Sequence, residues 1–270
     1  MKSVLVLGGN GLLGSEIIKL SNEEFNFIKV DRSIHSIEDF IEIHNPIAII
    51  NSVASLPSAD DKISFETNYE YPWRWIKVIK ERSFKQIKWI QISSYFELQQ
   101  KYGRDDSYTK YKARIRKDLE NLSSEGSLEL TSIFMPYLTG LNERSNRIIP
   151  TLLNIPRTQG EVLLSSGTQY LPVLTASDAA RAVFSCLETD QLNCSAIPVW
   201  YSSVKDLVSL VSKFLDTSRV VFNSEMRALD ADFPKVEFPK NVKGWKPQIQ
   251  LEDYFKISVG SCDKPLKGNK

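Results

Sequence analysis

Short apolar runs alternate with amphipathic stretches over the first half of the chain. The runs have the length of buried strands and fall at residues 4–7, 25–30, 46–50 and 88–92. Between them, apolar residues recur at helical spacing in residues 12–20, 36–43, 68–79 and 108–119. Strands that alternate with helices in this way predict an α/β fold built on a parallel sheet.

The second half of the chain predicts a smaller lobe beside that sheet. Helices are predicted at residues 146–153 and 204–215 and strands at 161–164 and 196–200, the last returning to the main sheet. We therefore expect a main domain of residues 1–140 joined by 173–200, and a lobe of residues 141–172 and 201–262. Residues 263–270 carry little apolar content and predict a disordered tail.

A glycine-rich turn lies between the first predicted strand and the first predicted helix. Gly8, Gly11 and Gly14 fit the spacing G-x-x-G-x-x-G, and with Gly9 in place of Gly8 the same stretch fits G-x-G-x-x-G. The first glycine allows a tight turn, Gly11 lets the backbone approach a pyrophosphate, and Gly14 lets helix and strand pack closely. The N–H groups at the helix start attract phosphates. We interpret this turn as a dinucleotide site, and the simpler alternative is a glycine turn with only a structural role.

Polar and small residues follow the later strands where each one ends. Asp31 stands 17 residues beyond Gly14, at a position suited to bind the adenosine ribose. The next strands end in Asn51-Ser52-Val53-Ala54-Ser55 and in Ser93-Ser94. Such residues also end strands for purely structural reasons. Because open α/β sheets bind ligands at the carboxyl ends of their strands, we interpret them as lining a cofactor crevice.

Tyr108 and Lys112 lie one turn apart on the helix that follows Ser94. Asp105, Asp106 and Ser107 are candidate caps for that helix. A Tyr-x-x-x-Lys pair often occurs by chance on a charged helix. Its position after the Ser93-Ser94 strand end is what favours a functional role here.

Taken in order, these motifs resemble the extended short-chain dehydrogenase/reductases of the NAD-dependent epimerase/dehydratase type. Further matches are Met135-Pro136-Tyr137-Leu138-Thr139-Gly140, the stretch from Tyr170 to Ala182, and Gly244-Trp245-Lys246-Pro247. The resemblance implies a Rossmann-type doubly wound parallel sheet with a smaller C-terminal substrate-binding lobe. Within the superfamily the chain is most similar to reductases of nucleotide-activated 4-keto-6-deoxy sugars, of the dehydrorhamnose reductase and abequose or paratose synthase kind.

The resemblance implies roles for individual residues. Ser94, Tyr108 and Lys112 would be catalytic. Cofactor contacts are implied for Gly8, Asn10, Gly11, Leu12, Leu13, Gly14, Asp31, Arg32, Ser52, Val53, Ala54, Asn68, Ile92, Tyr108, Lys112 and Pro136. Substrate contacts are implied for Ser55, Ser94, Tyr95, Tyr137, Arg144, Arg147 and Tyr170.

Three positions differ from the usual pattern of that superfamily. Met135 replaces the arginine before the proline, and Thr139 replaces a tyrosine. Tyr170 stands where many sugar-nucleotide enzymes have an arginine that contacts the diphosphate. Arg144, Arg147 or Arg157, in the segment expected to cover the substrate, would then supply the positive charge.

Composition narrows the range of functions. The 270 residues carry a net charge of +1, which gives no support for binding to nucleic acid or to a membrane surface. No run approaches the roughly 18 apolar residues of a membrane span, and no signal peptide is visible. Cys186, Cys194 and Cys262 have no metal-ligand spacing, and the chain has two histidines. We therefore expect a cytoplasmic protein with reduced thiols and no metal, which by its resemblance forms a homodimer.

The expected chemistry is reduction of a ketone with NAD(H) or NADP(H). Tyr108 would donate the proton, its pKa brought towards neutrality by the Lys112 ammonium, and Ser94 would bind the carbonyl oxygen. Asp31 favours NAD(H), whereas Arg32 and Ser33 offer groups for the 2′-phosphate of NADP(H).

Three functions remain open from the sequence. A 4-keto reductase in surface polysaccharide synthesis, including the O-antigen sugars of lipopolysaccharide, is favoured. An epimerase with retained NAD keeps the same Tyr-Lys pair, whereas Tyr95 after Ser94 disfavours a dehydratase, which needs a carboxylate there. A non-catalytic NAD(P)-binding sensor or scaffold that kept the fold is the third.

Overall fold

The computed structural model describes residues 1–82, 84, 87–226 and 233–262. Within these residues the larger sheet has six parallel strands in the order β2-β1-β3-β4-β5-β9. Their bounds are β1 (Lys2–Leu7), β2 (Phe25–Val30), β3 (Ala48–Asn51), β4 (Lys88–Ser94), β5 (Glu129–Met135) and β9 (Asn193–Ser195). The chain starts at the strand next to one edge, adds β2 at that edge, and then adds β3, β4, β5 and β9 in turn on the other side of β1, so the sheet is doubly wound as predicted.

Helices cover both faces of this sheet. The helices on the two faces are α1 (Leu12–Ile18), α2 (Ile37–His44), α4 (Tyr71–Glu81), α6 (Ser107–Ser124) and α8 (Ala176–Ser185). Val4 and Val6 of β1 pack in one core with α1 and α8, whereas Leu5 and Leu7 pack in the other with α2, α4 and α6. Burial on both faces explains why the first strand is a continuous apolar run.

The helix predicted to begin at Asn68 begins earlier. Asp60 caps α3 (Asp61–Phe65), a π-helical turn follows at Glu66–Glu70, and α4 continues without a break. Asn68 therefore lies in a widened turn inside a longer helical segment. One inserted residue in a π turn shifts the apolar periodicity, which hides the true start of the helix.

The remaining strands form two small sheets. In the first, β8 (Tyr170–Thr175) lies between β6 (Tyr137–Thr139) and β10 (Trp200–Ser203); in the second, β7 (Val162–Leu164) pairs with β11 (Val220–Phe222). The lobe core also contains α7 (Ile148–Leu153), α9 (Val204–Val211) and α10 (Leu251–Cys262).

The predicted returning strand at 196–200 is wrong in its position. The main sheet receives β9 instead, and Trp200 belongs to β10, which pairs antiparallel with β8. Pro198 separates the two, because a proline has no N–H to donate to a sheet. The helix predicted at 204–215 ends at Val211.

Within the described ranges, none of the helices has both the length and the apolar character needed to cross a bilayer. The predicted tail at 263–270 lies outside the described residues.

Candidate active site

The glycine turn after β1 leaves open space at the start of α1. Gly8 has φ +80°, a backbone conformation that favours glycine. A Cβ on Gly14 would lie 2.2 Å from the carbonyl oxygen of Gly8, so only glycine fits there. Gly11 caps α1 without a side chain and donates its N–H to the Gly8 carbonyl oxygen at 2.9 Å. The first N–H groups of α1 remain available to an anionic group.

The end of β3 is held in place by side chains behind it. Asn68 accepts a hydrogen bond from the Ser55 N–H at 3.0 Å and donates to the Ser55 Oγ at 2.8 Å. Ser52 donates its hydroxyl to the carbonyl oxygen of Leu7 at 2.6 Å, which joins β3 to the glycine turn. These contacts fix the segment 52–55 beside the carboxyl end of β1.

A cavity of about 1070 Å³ extends from the glycine turn, past the ends of β3 and β4, into the lobe. Most of the residues to which the sequence assigned roles line it: Gly8, Asn10, Gly11, Leu12, Leu13, Asp31, Arg32, Ser52, Val53, Ala54, Ser55, Ile92, Ser94, Tyr95, Tyr108, Lys112, Pro136, Tyr137, Arg144 and Arg147. Cofactor and substrate candidates thus share one continuous space.

Three assigned residues lie outside the lining of this cavity. Gly14 is packed beneath the glycine turn, and Asn68 sits behind Ser55. Tyr170 points away and packs edge-on against Tyr201, with 39% of its surface exposed. Successive side chains of an extended segment point to opposite sides. Tyr170 therefore points away from the cavity, while its neighbours Gln169 and Leu171 line it.

Asp31 and Arg32 stand at the end of β2, on the rim of the glycine turn. Asp31 accepts hydrogen bonds from the N–H and the hydroxyl of Ser33 at 2.9 and 2.8 Å, and these lower its pKa. The Arg32 guanidinium lies 5.5 Å from the ring centre of Tyr71. Asp31 is therefore an ionised acceptor at this end of the cavity.

Ser94 and Tyr108 meet in the middle of the cavity. The Tyr108 phenol lies beside the Ser94 side chain, which acts to lower the pKa of Tyr108, and the Tyr108 ring stands edge-on to Phe96 with centroids 6.0 Å apart. Lys112 lies beneath them with 2% of its surface exposed, and its Nζ donates to the carbonyl oxygens of Val53 at 3.1 Å and Ile92 at 2.9 Å. Two elements of the main sheet thus fix the ammonium group.

The pKa values in this cluster correct one expectation. Burial raises the pKa of Tyr108 to about 12, outweighing the opposite effects of the Ser94 hydrogen bond and the Arg147 charge. Burial also lowers the pKa of Lys112 to about 8, although the Glu97 charge opposes this. Lys112 does not bring the phenol towards neutrality in the folded chain, because desolvation of the phenol is the larger effect.

A second group of polar residues lines the lobe side of the cavity. The Arg147 guanidinium lies 3.9 Å from the ring centre of Tyr137 and donates to the carbonyl oxygen of Leu138 at 3.1 Å. Its Nε is 3.4 Å from Glu143, whose carboxylate also accepts the hydroxyl of Tyr137. The Glu143 side chain is 1% exposed, and burial raises its pKa. Arg147 is therefore the arginine with a defined orientation, whereas Arg144 is exposed at the rim.

Sequence reasoning missed several lining residues. Glu143 lies in a loop with no periodic signal, so nothing in the sequence separated it from a solvated charge. Gln169 and Leu171 could have been found from the alternation along β8, once Tyr170 was placed. Arg157, the third candidate for a phosphate contact, is exposed and does not line the cavity.

Within the described residues, no three side chains of His, Cys, Asp or Glu come together as metal ligands would. Cys186 and Cys194 are buried free thiols with their sulfur atoms 3.9 Å apart.

Comparison with solved structures shows the same fold over nearly the whole chain. The UDP-glucose 4-epimerase of Thermotoga maritima, solved with UDP-glucose, superposes with a TM-score of 0.77 at 18% identity, over 96% of this chain and 97% of its own. The dTDP-4-dehydrorhamnose reductase of Clostridium acetobutylicum gives 0.72 at 16%, over 97% and 100%. The GDP-mannoheptose C4 reductase of Campylobacter jejuni, solved with NADP, gives 0.75 at 13%, over 96% and 97%. At such identities the likeness shows the fold alone.

Comparison at the level of sequence gives the family. No curated protein is similar enough to count as a match. The model of the NAD-dependent epimerase/dehydratase family matches residues 4–195, from β1 to the end of β9. This chain therefore belongs to the NAD-dependent epimerase/dehydratase family of extended short-chain dehydrogenase/reductases, and it is an enzyme whose cofactor is NAD(H) or NADP(H).

Proposed function

We propose that this chain is an NAD(P)H-dependent reductase of a nucleotide-activated 4-keto-6-deoxy sugar, acting in the synthesis of a surface polysaccharide. The observation that carries the proposal is the placement of Ser94 and Tyr108 together in the lining of one cavity. This cavity has the glycine turn at one end and Arg147, held by Glu143 and the Leu138 carbonyl oxygen, at the other. That arrangement suits a carbonyl substrate with a second, anionic part.

The residues at the glycine turn are suited to hold the dinucleotide. The first turn of α1 would bind its pyrophosphate, Asp31 an adenosine ribose, and Lys112 the ribose next to the nicotinamide. When bound, the cofactor supplies the hydride that adds to the ketone carbon. The ionised Asp31 repels a 2′-phosphate, which supports NAD(H) over NADP(H).

Ser94 and Tyr108 would act on the ketone oxygen. Ser94 donates a hydrogen bond to this oxygen and orients the carbonyl. Tyr108 then gives its proton to the alkoxide that forms, and the phenolate recovers a proton from solvent. A phenol with a pKa of about 12 is fully protonated at neutral pH, as a proton donor must be. An alkoxide is the stronger base, so the transfer is downhill.

The lobe side of the cavity supports a nucleotide-sugar substrate. Arg147 is held by Glu143 and by the Leu138 carbonyl oxygen while its guanidinium covers Tyr137. An arginine oriented in this way suits a phosphate oxygen. Two of the structural neighbours were solved with or named for sugar nucleotides of this general kind, UDP-glucose and dTDP-4-dehydrorhamnose.

The surroundings of Ser94 argue against dehydration. Tyr95 follows Ser94 directly, and the nearest carboxylate in sequence, Glu97, is fully buried with both oxygens hydrogen-bonded. Glu97 also lies outside the cavity lining, so it is not placed to take a proton from a sugar carbon bound there. Epimerisation needs no such carboxylate and is the second candidate.

Isotope transfer separates these candidates. The chain is incubated with a 4-keto-6-deoxy sugar nucleotide and with NADH or NADPH that carries deuterium at the reacting carbon. A reductase gives one deuterium in each product molecule, at C4. A sugar nucleotide that changes configuration without incorporation would favour the epimerase, and the absence of both would contradict the assigned substrate class. A homodimer in the cytoplasm stays a prediction beside this proposal.

A further inference from the structure

A buried carboxylate lies directly behind the catalytic serine. Ser94 is both the last residue of β4 and the cap of the short helix α5 (Tyr95–Leu98). Glu97 of that helix is 0% exposed at its side chain. Its Oε1 accepts the Ser94 N–H at 2.8 Å and its Oε2 accepts the Arg116 Nε–H at 2.8 Å. Burial raises the pKa of this carboxyl, and the Arg116 charge, the Arg116 hydrogen bond and the Ser94 N–H act in the opposite direction. Two donors on two oxygens are the arrangement of an ionised carboxylate.

Arg116 connects this carboxylate to the catalytic helix. Tyr108, Lys112 and Arg116 follow one another at intervals of four residues, so they lie along one face of α6. Arg116 also donates to Glu120 at 2.7 Å, and its guanidinium lies 5.2 Å from the ring centre of Phe134. The Glu97 carboxylate is therefore held against the same face of α6 that carries the catalytic groups.

We propose that Glu97 is a positioning residue: it joins the turn that carries the Ser94 hydroxyl to Arg116, on the face of α6 that also carries Tyr108 and Lys112, and it acts on these groups by its contacts and its charge. This inference rests on the proposed function only in taking Ser94, Tyr108 and Lys112 as the catalytic groups. Glu97 itself does not line the cavity, so it acts through these neighbours.

The charges around the cluster fit this role. Lys112 is faced by the carbonyl oxygens of Val53 and Ile92 and by the Glu97 charge, which raises its pKa against the effect of burial. A buried lysine loses its proton most easily where no negative charge is near. Glu97 is the counter-charge that opposes this loss.

The Glu97 carboxylate also acts on the pKa of Tyr108. The groups that act on the Tyr108 phenol are Ser94 and Arg147, which lower its pKa, and Glu97 and Asp106, which raise it. Without the Glu97 charge, the pKa of Lys112 and that of Tyr108 would both fall. The state with both groups protonated would then be confined to a lower pH range.

A titration of Lys112 tests this without any substrate. Protein labelled with ¹³C at the lysine Cε is followed by NMR from pH 6 to pH 10, and the Lys112→Met variant identifies the Lys112 signal. We expect this signal to titrate near 8, and the Glu97→Gln variant to titrate lower by about one pH unit. Glu120→Gln is the matched control, because it removes the other carboxylate bonded to Arg116 and should leave the Lys112 titration in place.

The variants are chosen so that a protein that does not fold is distinguished from a Lys112 titration that does not change. In Glu97→Gln, Arg116 keeps its bond to Glu120 and is not left unpaired. If that variant does not fold by circular dichroism, the double variant Glu97→Gln with Arg116→Gln removes both charges and keeps a hydrogen-bonding pair. A folded variant of either kind with an unchanged Lys112 titration would overturn the inference.

Turnover gives the second readout. In Glu97→Gln, the loss of kcat at alkaline pH should begin at lower pH by the same interval, whereas a merely structural role would lower kcat equally at every pH. If no keto sugar is reduced by the unaltered chain, the proposed function fails while the titration of Lys112 still decides the role of Glu97.

Discussion

The Nζ atom of Lys112 lies 2.9 Å from the carbonyl oxygen of Ile92, and this hydrogen bond ties α6 to β4 of the main sheet. A second bond at 3.1 Å, to the carbonyl oxygen of Val53, ties it to the segment after β3. The ammonium therefore bridges two strand ends at the edge where the cavity opens. Any change in its charge alters both the electrostatics and the anchoring of the site.

The pH dependence of turnover follows from this position. Lysine is charged below its pKa, and burial lowers the pKa of Lys112 to about 8. We expect kcat for ketone reduction to hold below about pH 8 and to fall as the pH rises through it, while Tyr108 stays protonated over this range. The pH profile of kcat checks this, with Lys112→Met as control. A profile that is flat to pH 10 would contradict the assigned role of Lys112.

Gly14 is predicted to be essential for the cofactor turn. A Cβ at this position meets the Gly8 carbonyl oxygen at 2.2 Å, so Gly14→Ala must displace the turn. Overpacking of this kind costs about 1–3 kcal/mol. Because the displaced turn is the one that would hold the dinucleotide, we expect the affinity for the dinucleotide to fall, by roughly 5-fold to 150-fold if the whole cost appears in binding. Fluorescence titration with NADH measures it. Gly260→Ala, where a Cβ meets nothing within 4 Å, is the matched control and should bind as the unaltered chain does.

Asp31 is predicted to set the choice between NADH and NADPH. Its ionised carboxylate accepts hydrogen bonds from a ribose diol and repels a 2′-phosphate. Asp31→Ala should therefore raise KM for NADH and lower KM for NADPH, and steady-state kinetics with both cofactors measures the ratio. An unchanged ratio would remove Asp31 from the selection.

Arg147 is predicted to bind the anionic part of the substrate. Arg147→Met should raise KM for the sugar nucleotide by roughly tenfold, the value of one charge-assisted contact, with little effect on the affinity for NADH. Arg157→Met is the control, since Arg157 is exposed and lies outside the cavity lining. If the two variants had equal KM values, the diphosphate would have to be bound elsewhere.

The parts of the site that the sequence predicted are those whose chemistry is local. Gly8, Gly11 and Gly14 act within one turn, and Tyr108 and Lys112 are one helical turn apart, so spacing alone indicates that they lie together. The order of these motifs along the chain predicted the doubly wound sheet, which the structure confirms.

The parts that the sequence did not predict depend on contacts between distant segments. The pKa of Tyr108 depends on how deeply the lobe and α5 bury the phenol, which no local pattern encodes. The buried pair of Glu97 and Arg116 joins residues 19 positions apart, and each alone resembles a solvated charge. The helix start predicted at Asn68 was wrong, because a π-helical turn interrupts the apolar periodicity that would have shown the helical segment to begin at Asp61.

The stoichiometry of the reaction, with Tyr108 present and absent, decides whether this chain is a reductase that uses Tyr108 as its proton donor. The purified chain is given a 4-keto-6-deoxy sugar nucleotide and NADH or NADPH, and cofactor oxidation is measured at 340 nm against product formed. We predict one cofactor oxidised for each sugar reduced, and a loss of kcat by roughly 100-fold or more in Tyr108→Phe with cofactor affinity retained. Turnover without net oxidation, or a Tyr108→Phe variant as active as the unaltered chain, would contradict the account.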